Sequence, residues 1–543
     1  MAPATSAPSG DQPPADNHGG EATGASGWRF ALLPYLVAIG VPLAIVAANP
    51  GDIPPLPSLQ RTLLTLLGGA AAAHIVAHLV GRLLGCSPPL PELAVVALQL
   101  HLAGYGIIYR VLLGGAIQHR LLLPGWTLLL ATGLAVTWWY WRRAPATVER
   151  LAGALQLGIG ILVLLQLVNV GPQLLSGQKA APMPTLAPVL EIDLSRKPPP
   201  NELPDIYYVI LDAYGRQDRL REHYGYDNSA FLQQLADRGF WVGDRACSNY
   251  HYTRLSLPSS LNMVHLNETP LERFATRDYA HRLINQCDIV KVLNLSGYNT
   301  VALADGFTPI DDAVFDRYLT ESYAASELDL ALLSSTWVLP LLEATRRTSP
   351  FDSARARLLR RFELVSTIAD ESATDEPLFV FAHILAPHRP FLFNADGSHL
   401  GPPNSFWDGA SYANPTPATR QMYIDSYVGQ LQFVNQRVLQ MIDSIQQRDR
   451  PAIIILQGDH GPGAHMDDPS QHETHLKERL GILFAISASQ PWELSLPDNA
   501  TPVNLFRAIC NQALNSKLSM LPDRSYYQSG HTAPFEDVTE LVQ

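Results

Sequence analysis

Residues 452–461 read AIIILQGDHG, five apolar residues running into a polar, glycine-flanked turn. The run has strand length and is rich in β-branched residues. It is apolar at consecutive positions, not alternate ones, which marks a strand covered on both faces. Four more runs have the same form: IYYVIL from Ile206, TVALA from Thr300, LFVFAHIL from Leu378 and ILFAI from Ile482. Helical patterns lie between them. In 227–240, Asp227 can cap, Phe231, Leu232 and Leu235 form an apolar stripe, and Gly239 ends it. A longer pattern over 418–447 leads into AIIIL. Buried strands alternating with helices predict a doubly wound, mostly parallel α/β sheet, whose ligands gather at the carboxyl ends of the strands.

The N-terminal part is of another kind. Up to Leu175 there are eight Arg, six Asp or Glu and no Lys, a net of +2, so the remainder carries −14 against a total net charge of −12. An acidic chain without a basic face is no nucleic-acid binder. Residues 1–27, rich in Ala, Pro, Ser and Gly, read as a disordered tail. Five apolar segments follow, at 30–48, 63–84, 93–109, 121–141 and 151–170, and each approaches the roughly 20 residues that cross a bilayer core. We therefore expect a five-helix membrane domain over 28–175, a Pro-rich linker over 176–204 and a soluble domain over 205–543. Arg29, Arg82, Arg142, Arg143 and Arg150 against Arg61, Arg110 and Arg120 favour a multi-pass topology with a cytoplasmic N-terminus and an extracytoplasmic C-terminal domain. Trp138, Trp139, Tyr140 and Trp141 before Arg142 and Arg143 read as an interfacial belt. His74 and His78, one turn apart on the second span, and His101 on the third read either as interhelical hydrogen-bonding groups or as a head-group or proton path. In an oxidising space, a Cys247–Cys287 bridge is open to the chain.

The soluble half collects its chemistry just beyond the strands. IYYVIL ends in Asp212, AIIIL leads to Asp459 and His460, and LFVFAHIL contains His383 and is followed by His388 in PHRPF. Acidic and imidazole groups at several strand ends suit a divalent cation. The hydroxyl-rich segment SNYHYTRLSLPSSLNM, from Ser248, runs into a helix start, where a hydroxyl beside a metal can attack a phosphorus or sulfur centre. Thr253, Ser256, Ser259 and Ser260 compete for that role.

This order of elements resembles the alkaline-phosphatase superfamily in its sulfatase-like branch, with lipoteichoic acid synthases and phosphoethanolamine transferases. The resemblance covers nearly all of the soluble half and implies an alkaline-phosphatase/sulfatase-type fold. TRLSLPSSLNM is similar in spacing to the sulfatase motif C-x-P-S-R followed by Leu-Thr-Gly. Thr253 takes the Cys place, Ser256 the Ser place and Leu261-Asn262-Met263 the last, while Leu255 and Leu257 depart from it. Threonine cannot form the formylglycine of true sulfatases, because its β-carbon bears a methyl group. The resemblance implies a metal shell of Asp212, Thr253, Asp459 and His460 around Mn2+ or Zn2+, with Mg2+ or Ca2+ also admitted. It makes Thr253 the nucleophile, with Ser256 next, and gives His388 phosphoryl binding or leaving-group protonation. Arg216, in DAYGR, is a candidate anion clamp. His465, His472 and His475 read as a second metal cluster or as a polar surface loop.

The leading expectation is a membrane-anchored transferase. It moves a phosphorylated head group from a membrane lipid, through phospho-threonine, onto an extracytoplasmic glycan, lipid or polymer. The alternative is an extracytoplasmic phosphodiesterase or sulfatase-like hydrolase using the same residues. A catalytically silent binding module is the reading of another class.

Overall fold

The computed structural model describes residues 29–48, 56–109, 119–176, 192, 194–268, 277–303, 314–319, 328, 332–333, 335–338, 341, 350–370, 376–400, 417–466, 474–489, 494, 496–530 and 533–543. The tail expected over 1–27 and most of the linker expected over 176–204 lie outside them. The chain divides into two compact units, Met1–Ile45 with Gln60–Asn169, and Val46–Leu59 with Val170–Gln543.

The apolar part forms helices α1 (Leu33–Ala48), α2 (Leu56–Leu83), α3 (Leu90–Ile107), α4 (His119–Arg143) and α5 (Pro145–Ser176). Among the described residues, four stretches, not the expected five, are long and apolar enough to cross a membrane: Leu59–Leu83, Leu90–Ile107, Leu121–Arg143 and Pro145–Pro172. The first expected span is a helix of only 16 residues. The sequence after it, Asn49-Pro50-Gly51, is of the kind that ends helices. Leu128 and Leu157 are each 67% exposed, as side chains facing lipid would be. The Trp126 indole donates to the His101 carbonyl at 2.8 Å and stacks on its ring, joining α4 to α3. Arg142 and Arg143 sit over Trp138 and Trp139 at 4.1 and 4.0 Å, so the aromatic run and its basic stop act as cation–π pairs.

The helices of the second unit that bear on the site are α6 (Gln217–Tyr224), α7 (Ser229–Asp237), α8 (Thr253–Asn262), α9 (Arg277–Asn285), α10 (Asp288–Ser296), α11 (Pro350–Thr367), α12 (Pro417–Gln446), α13 (Leu476–Leu480) and α14 (Leu505–Ala513). The strands of the large sheet are β1 (Asp205–Leu211), β2 (Phe240–Val242), β3 (Asn299–Leu303), β4 (Arg317–Leu319), β5 (Leu378–Ile384), β6 (Ala452–Gln457) and β7 (Phe484–Ala488), in the order β2-β7-β6-β1-β5-β3-β4, and Tyr526–Tyr527 pairs with Glu536–Asp537 in a second, two-stranded sheet. Each of the five apolar runs supplies a strand. β1 pairs parallel with β5 and β6, and β3 pairs parallel with β5 and β4. β7 runs antiparallel to β6 and β2, so the last run departs from the parallel expectation. Among the described residues, only the five-residue α13 lies between β6 and β7, too little for a crossover helix.

Period two along β1 splits its side chains between two covered faces. Tyr207, Val209 and Leu211 join one apolar cluster with Leu220 of α6, Phe231 of α7, Phe362 of α11 and Val438 of α12. Ile206, Tyr208 and Ile210 join the other with Leu257 of α8, Val290 of α10 and Phe506 of α14. Each fully buried apolar side chain contributes roughly 1.5–3 kcal/mol, so β1 is held from both sides. Asn228, not Asp227, is the cap residue of α7; Asp227 stands one residue before it, where its Oδ1 accepts the Ser229 amide at 3.1 Å, and Gly239 follows the helix at φ 80°. All four cysteines are free thiols, so Cys247 and Cys287 are not bridged.

Candidate active site

β6, β1 and β5 lie side by side and parallel, and their carboxyl ends form the floor of the site. Ile210 is in register with His383 on one side and Gln457 on the other. Asp212, two residues past Ile210, therefore meets His383, whose Nε2 lies 3.3 Å from Asp212 Oδ2. Asp459 and His460 follow β6 directly. α8 packs Leu257 and Leu261 on this same face of the sheet. That places its first residue, Thr253, one turn earlier at the strand ends.

The distances are short. Thr253 Oγ1 donates to Asp459 Oδ2 at 2.6 Å and lies 3.3 Å from His460 Nε2. His460 Nε2 is 3.4 Å from Asp459 Oδ2 and 3.7 Å from Asp212 Oδ1. Asp459 Oδ1 accepts the Ala213 amide at 3.0 Å, which ties the end of β6 to that of β1. Asp212, His383, Asp459 and His460 are all buried.

The electrostatics favour a cation. Burial pushes the Asp459 carboxyl up, and the negative charge of Asp212 adds to it, to about 6. Burial also pushes Asp212 up, but His388, His383 and His460 outweigh it and hold that carboxyl below the usual carboxylate range. His460 is lowered to about 3, first by burial and then by the Arg479 guanidinium. Asp212 Oδ1 is buried and accepts no hydrogen bond. Two buried carboxylates, one with an orphaned oxygen, beside the His460 imidazole, which resists protonation, fit a divalent ion. Asp212, His383 and Asp459 each offer a ligand atom, all within 4.8 Å of one another.

The glycines of QGDHG are required by close packing. A Cβ at Gly461 would stand 1.9 Å from the Glu478 carbonyl, and one at Gly458 2.5 Å from that of Tyr214. Arg479 holds the same turn by donating to the carbonyls of Gly461 at 3.0 Å and His251 at 2.8 Å. Ser248 Oγ donates to the Asp459 carbonyl at 2.5 Å.

The other sequence candidates take various places. His388 is tied to the site through its backbone, its amide donating to the Asp212 carbonyl at 2.9 Å, and its ring lies 6.2 Å from that of His460. Burial lowers its imidazole while Asp212 opposes the shift. Ser256 is buried, with its Oγ 3.1 Å from Ser248 Oγ. The Arg216 guanidinium grips Asp218 at 2.8 and 3.0 Å and the Ala246 carbonyl at 2.9 Å, so its contacts brace the loop after β1. His465 bonds Glu478 at 3.0 Å, its ring is 6.4 Å from that of His475, and His472 lies outside the described residues. Sequence reasoning noted His383 but left it out of the metal shell. Its signal was a lone imidazole inside an otherwise apolar run, on the strand that pairs with β1.

The sulfatase family model matches residues 204–482. Among solved structures, the chain is similar to the C-terminal periplasmic domain of EcEptC from Escherichia coli in complex with Zn, at 12% identity and TM-score 0.39, covering 63% of this chain and 96% of that one. It is also similar to the soluble domain of lipooligosaccharide phosphoethanolamine transferase A from Neisseria meningitidis, at 12% identity and TM-score 0.39, covering 60% and 93%. A third is Streptococcus pyogenes phosphoglycerol transferase GacH in complex with sn-glycerol-1-phosphate, at 13% identity and TM-score 0.37, covering 60% and 78%. No curated protein matches the sequence. With just over half of its length matched by the family model, the chain belongs to the sulfatase family.

Proposed function

We propose that the protein is a membrane-anchored, metal-dependent transferase that moves a phosphorylated head group from a membrane lipid onto an extracytoplasmic glycan, lipid or polymer through a phospho-threonine at Thr253. The observation that carries this reading is Thr253 Oγ1 at the N-terminus of α8, 2.6 Å from Asp459 Oδ2 and 3.3 Å from His460 Nε2. Asp212, Thr253, Asp459 and His460, with His383 added, would hold a Zn2+ or Mn2+ ion. When bound, that ion neutralises charge on the phosphoryl oxygens and lowers the pKa of the Thr253 hydroxyl. The Thr253 proton passes toward Asp459, with which it is already shared. Oγ1 bonds to phosphorus, and the bond to the lipid alcohol breaks. His388 binds the phosphoryl oxygens or gives that alcohol its proton. An acceptor hydroxyl then attacks the same phosphorus, its proton replacing the one given to the lipid alcohol, and the bond to Oγ1 breaks as Thr253 takes its proton back from Asp459. The amide groups opening α8 favour the anion throughout.

In this reading the division at 28–175, 176–204 and 205–543 separates anchor, linker and catalyst. Arg82, Arg142, Arg143 and Arg150, at the α2–α3 and α4–α5 turns, lie on the cytoplasmic side, and α5 delivers the catalytic half to the opposite side. A cytoplasmic N-terminus belongs to the same reading and requires α1 to cross despite its 16 residues.

The test uses the full chain in detergent with Zn2+ and fluorescent phosphatidylethanolamine or phosphatidylglycerol. Diacylglycerol release that rises with an added glycan acceptor, together with a head-group phosphate adduct on Thr253, supports transfer. Release at the same rate with water alone, and no labelled acceptor, makes the protein a hydrolase. No release from any phosphodiester, with the ion bound, overturns the proposal.

A further inference from the structure

The helical unit holds a second group of ligand-type side chains, distant in sequence from the sulfatase site. His74 and His78 stand at i and i+4 on α2, so both project from one face. Glu92 lies in the first turn of α3, across the turn formed by residues 84–89. His74 Nε2 and His78 Nε2 are 3.0 Å apart. Glu92 Oε1 is 3.1 Å from His78 Nε2 and 3.7 Å from His74 Nε2. Three ligand atoms from two helices thus face one point.

Glu92 is 0% exposed, and its Oε2 accepts no hydrogen bond. A carboxylate buried among apolar helices with one orphaned oxygen is costly unless a cation lies beside it. The spacing fits such an ion. Tetrahedral Zn2+ binds imidazole nitrogen at about 2.0–2.1 Å and carboxylate oxygen at about 2.0–2.2 Å, which sets neighbouring ligand atoms about 3.3 Å apart. The three observed separations bracket that value. Outside the triad, Tyr35 Oη lies 3.3 Å from His74 Nδ1. With the Tyr35 oxygen accepting from Nδ1–H, His74 Nε2 is left bare, the arrangement that outer partners give metal-bound histidines. The His78 side chain is 34% exposed, so the group is not closed on that side.

We infer that His74, His78 and Glu92 form a binding site for a divalent transition-metal ion of the Zn2+ class, with Tyr35 as the positioning residue, clamping α2 to α3. Neither the family match nor the reading of Thr253 bears on this site, so the two stand or fall separately.

The test loads metal-stripped full chain in detergent with Zn2+ alone, removes free ion and counts zinc per chain by elemental mass spectrometry. It is run in an Asp212→Asn/Asp459→Asn background to weaken the sulfatase-type site. Adding Glu92→Gln, which keeps the shape of the side chain, removes one equivalent of zinc from a chain that stays monodisperse. Co2+ in the background chain gives the intense visible bands of tetrahedral coordination, and Glu92→Gln abolishes them. His78→Cys keeps the ion and adds a sulfur-to-cobalt charge-transfer band, a positive signal that a misfolded chain does not give. Equal zinc with and without Glu92→Gln, or no charge-transfer band in a folded His78→Cys chain, overturns the inference.

Discussion

Replacing Thr253 by Val removes one hydroxyl and keeps the shape of the side chain, so it separates chemistry from folding. The lost hydrogen bond is the 2.6 Å contact to Asp459 Oδ2, while the Asp459 Oδ1 bond to the Ala213 amide at 3.0 Å remains. A hydrogen bond to a charged group is worth about 1.5–3 kcal/mol, so stability falls by about 2 kcal/mol. Domains with about 5–15 kcal/mol in hand still fold after such a loss. Turnover behaves differently, because removing a covalent nucleophile costs on the order of 10^6-fold in kcat, or about 8 kcal/mol of barrier. Thr253→Ser keeps the oxygen and should retain turnover within about tenfold, which is about 1.4 kcal/mol of barrier. The assay is diacylglycerol release from a fluorescent phospholipid, paired with thermal unfolding and intact mass of the same preparations. A Val variant within tenfold of the parent, or a phosphoryl adduct persisting in it on Ser256, would show that the wrong oxygen has been chosen.

Three further outcomes follow from particular contacts. His383→Gln withdraws an imidazole 3.3 Å from Asp212 Oδ2 and should weaken metal binding by about 10–100-fold; chelator competition measures it, and unchanged affinity removes His383 from the shell. Asp205, at the start of β1 and away from the ligands, has its carboxyl raised by burial to about 6 from an ordinary 3.8, although it accepts the Leu378 amide at 2.8 Å. The folded state thus binds this proton more tightly than the unfolded chain, so the stability it confers is complete below pH 3.8 and is lost as pH rises through about 6. Asp205→Asn should leave stability unchanged in acid and raise it by up to about 3 kcal/mol at pH 8; parallel stability curves for parent and variant would falsify this. Gly461→Ala puts a Cβ 1.9 Å from the Glu478 carbonyl, so thermal unfolding should move down sharply or folded protein should be lost, and a melting curve like the parent's would remove the packing argument for that glycine.

Much of this protein is local information. Five consecutive-apolar runs marked five of the seven strands of the large sheet, because a strand covered on both faces has no polar side to alternate with; the three-residue β2 and β4 gave no such run. Asp212, Asp459 and His460 were legible because the carboxyl end of a parallel strand is where backbone pairing stops and polar groups face a crevice. The hydroxyls of Thr253, Ser256, Ser259 and Ser260 were legible at the opening of a helix, and the resemblance to the sulfatase motif put Thr253 ahead of the others.

Tertiary structure decided the rest. β7 is antiparallel because of what joins it to β6, which the residues of the run itself do not encode. His383 became a neighbour of Asp212 only through the β1–β5 register and the face that the pleat gave it. The Arg216 side chain found Asp218 and the Ala246 carbonyl, a choice among partners within reach that one dimension cannot make. The same holds for Glu92, a solitary acid at the edge of an apolar segment whose meaning changes once the α2–α3 hairpin lays it against His74 and His78. Secondary structure and strand-end chemistry depend on neighbours in the chain, so sequence carries them. Ligand sets depend on which faces meet, and only the folded chain settles that.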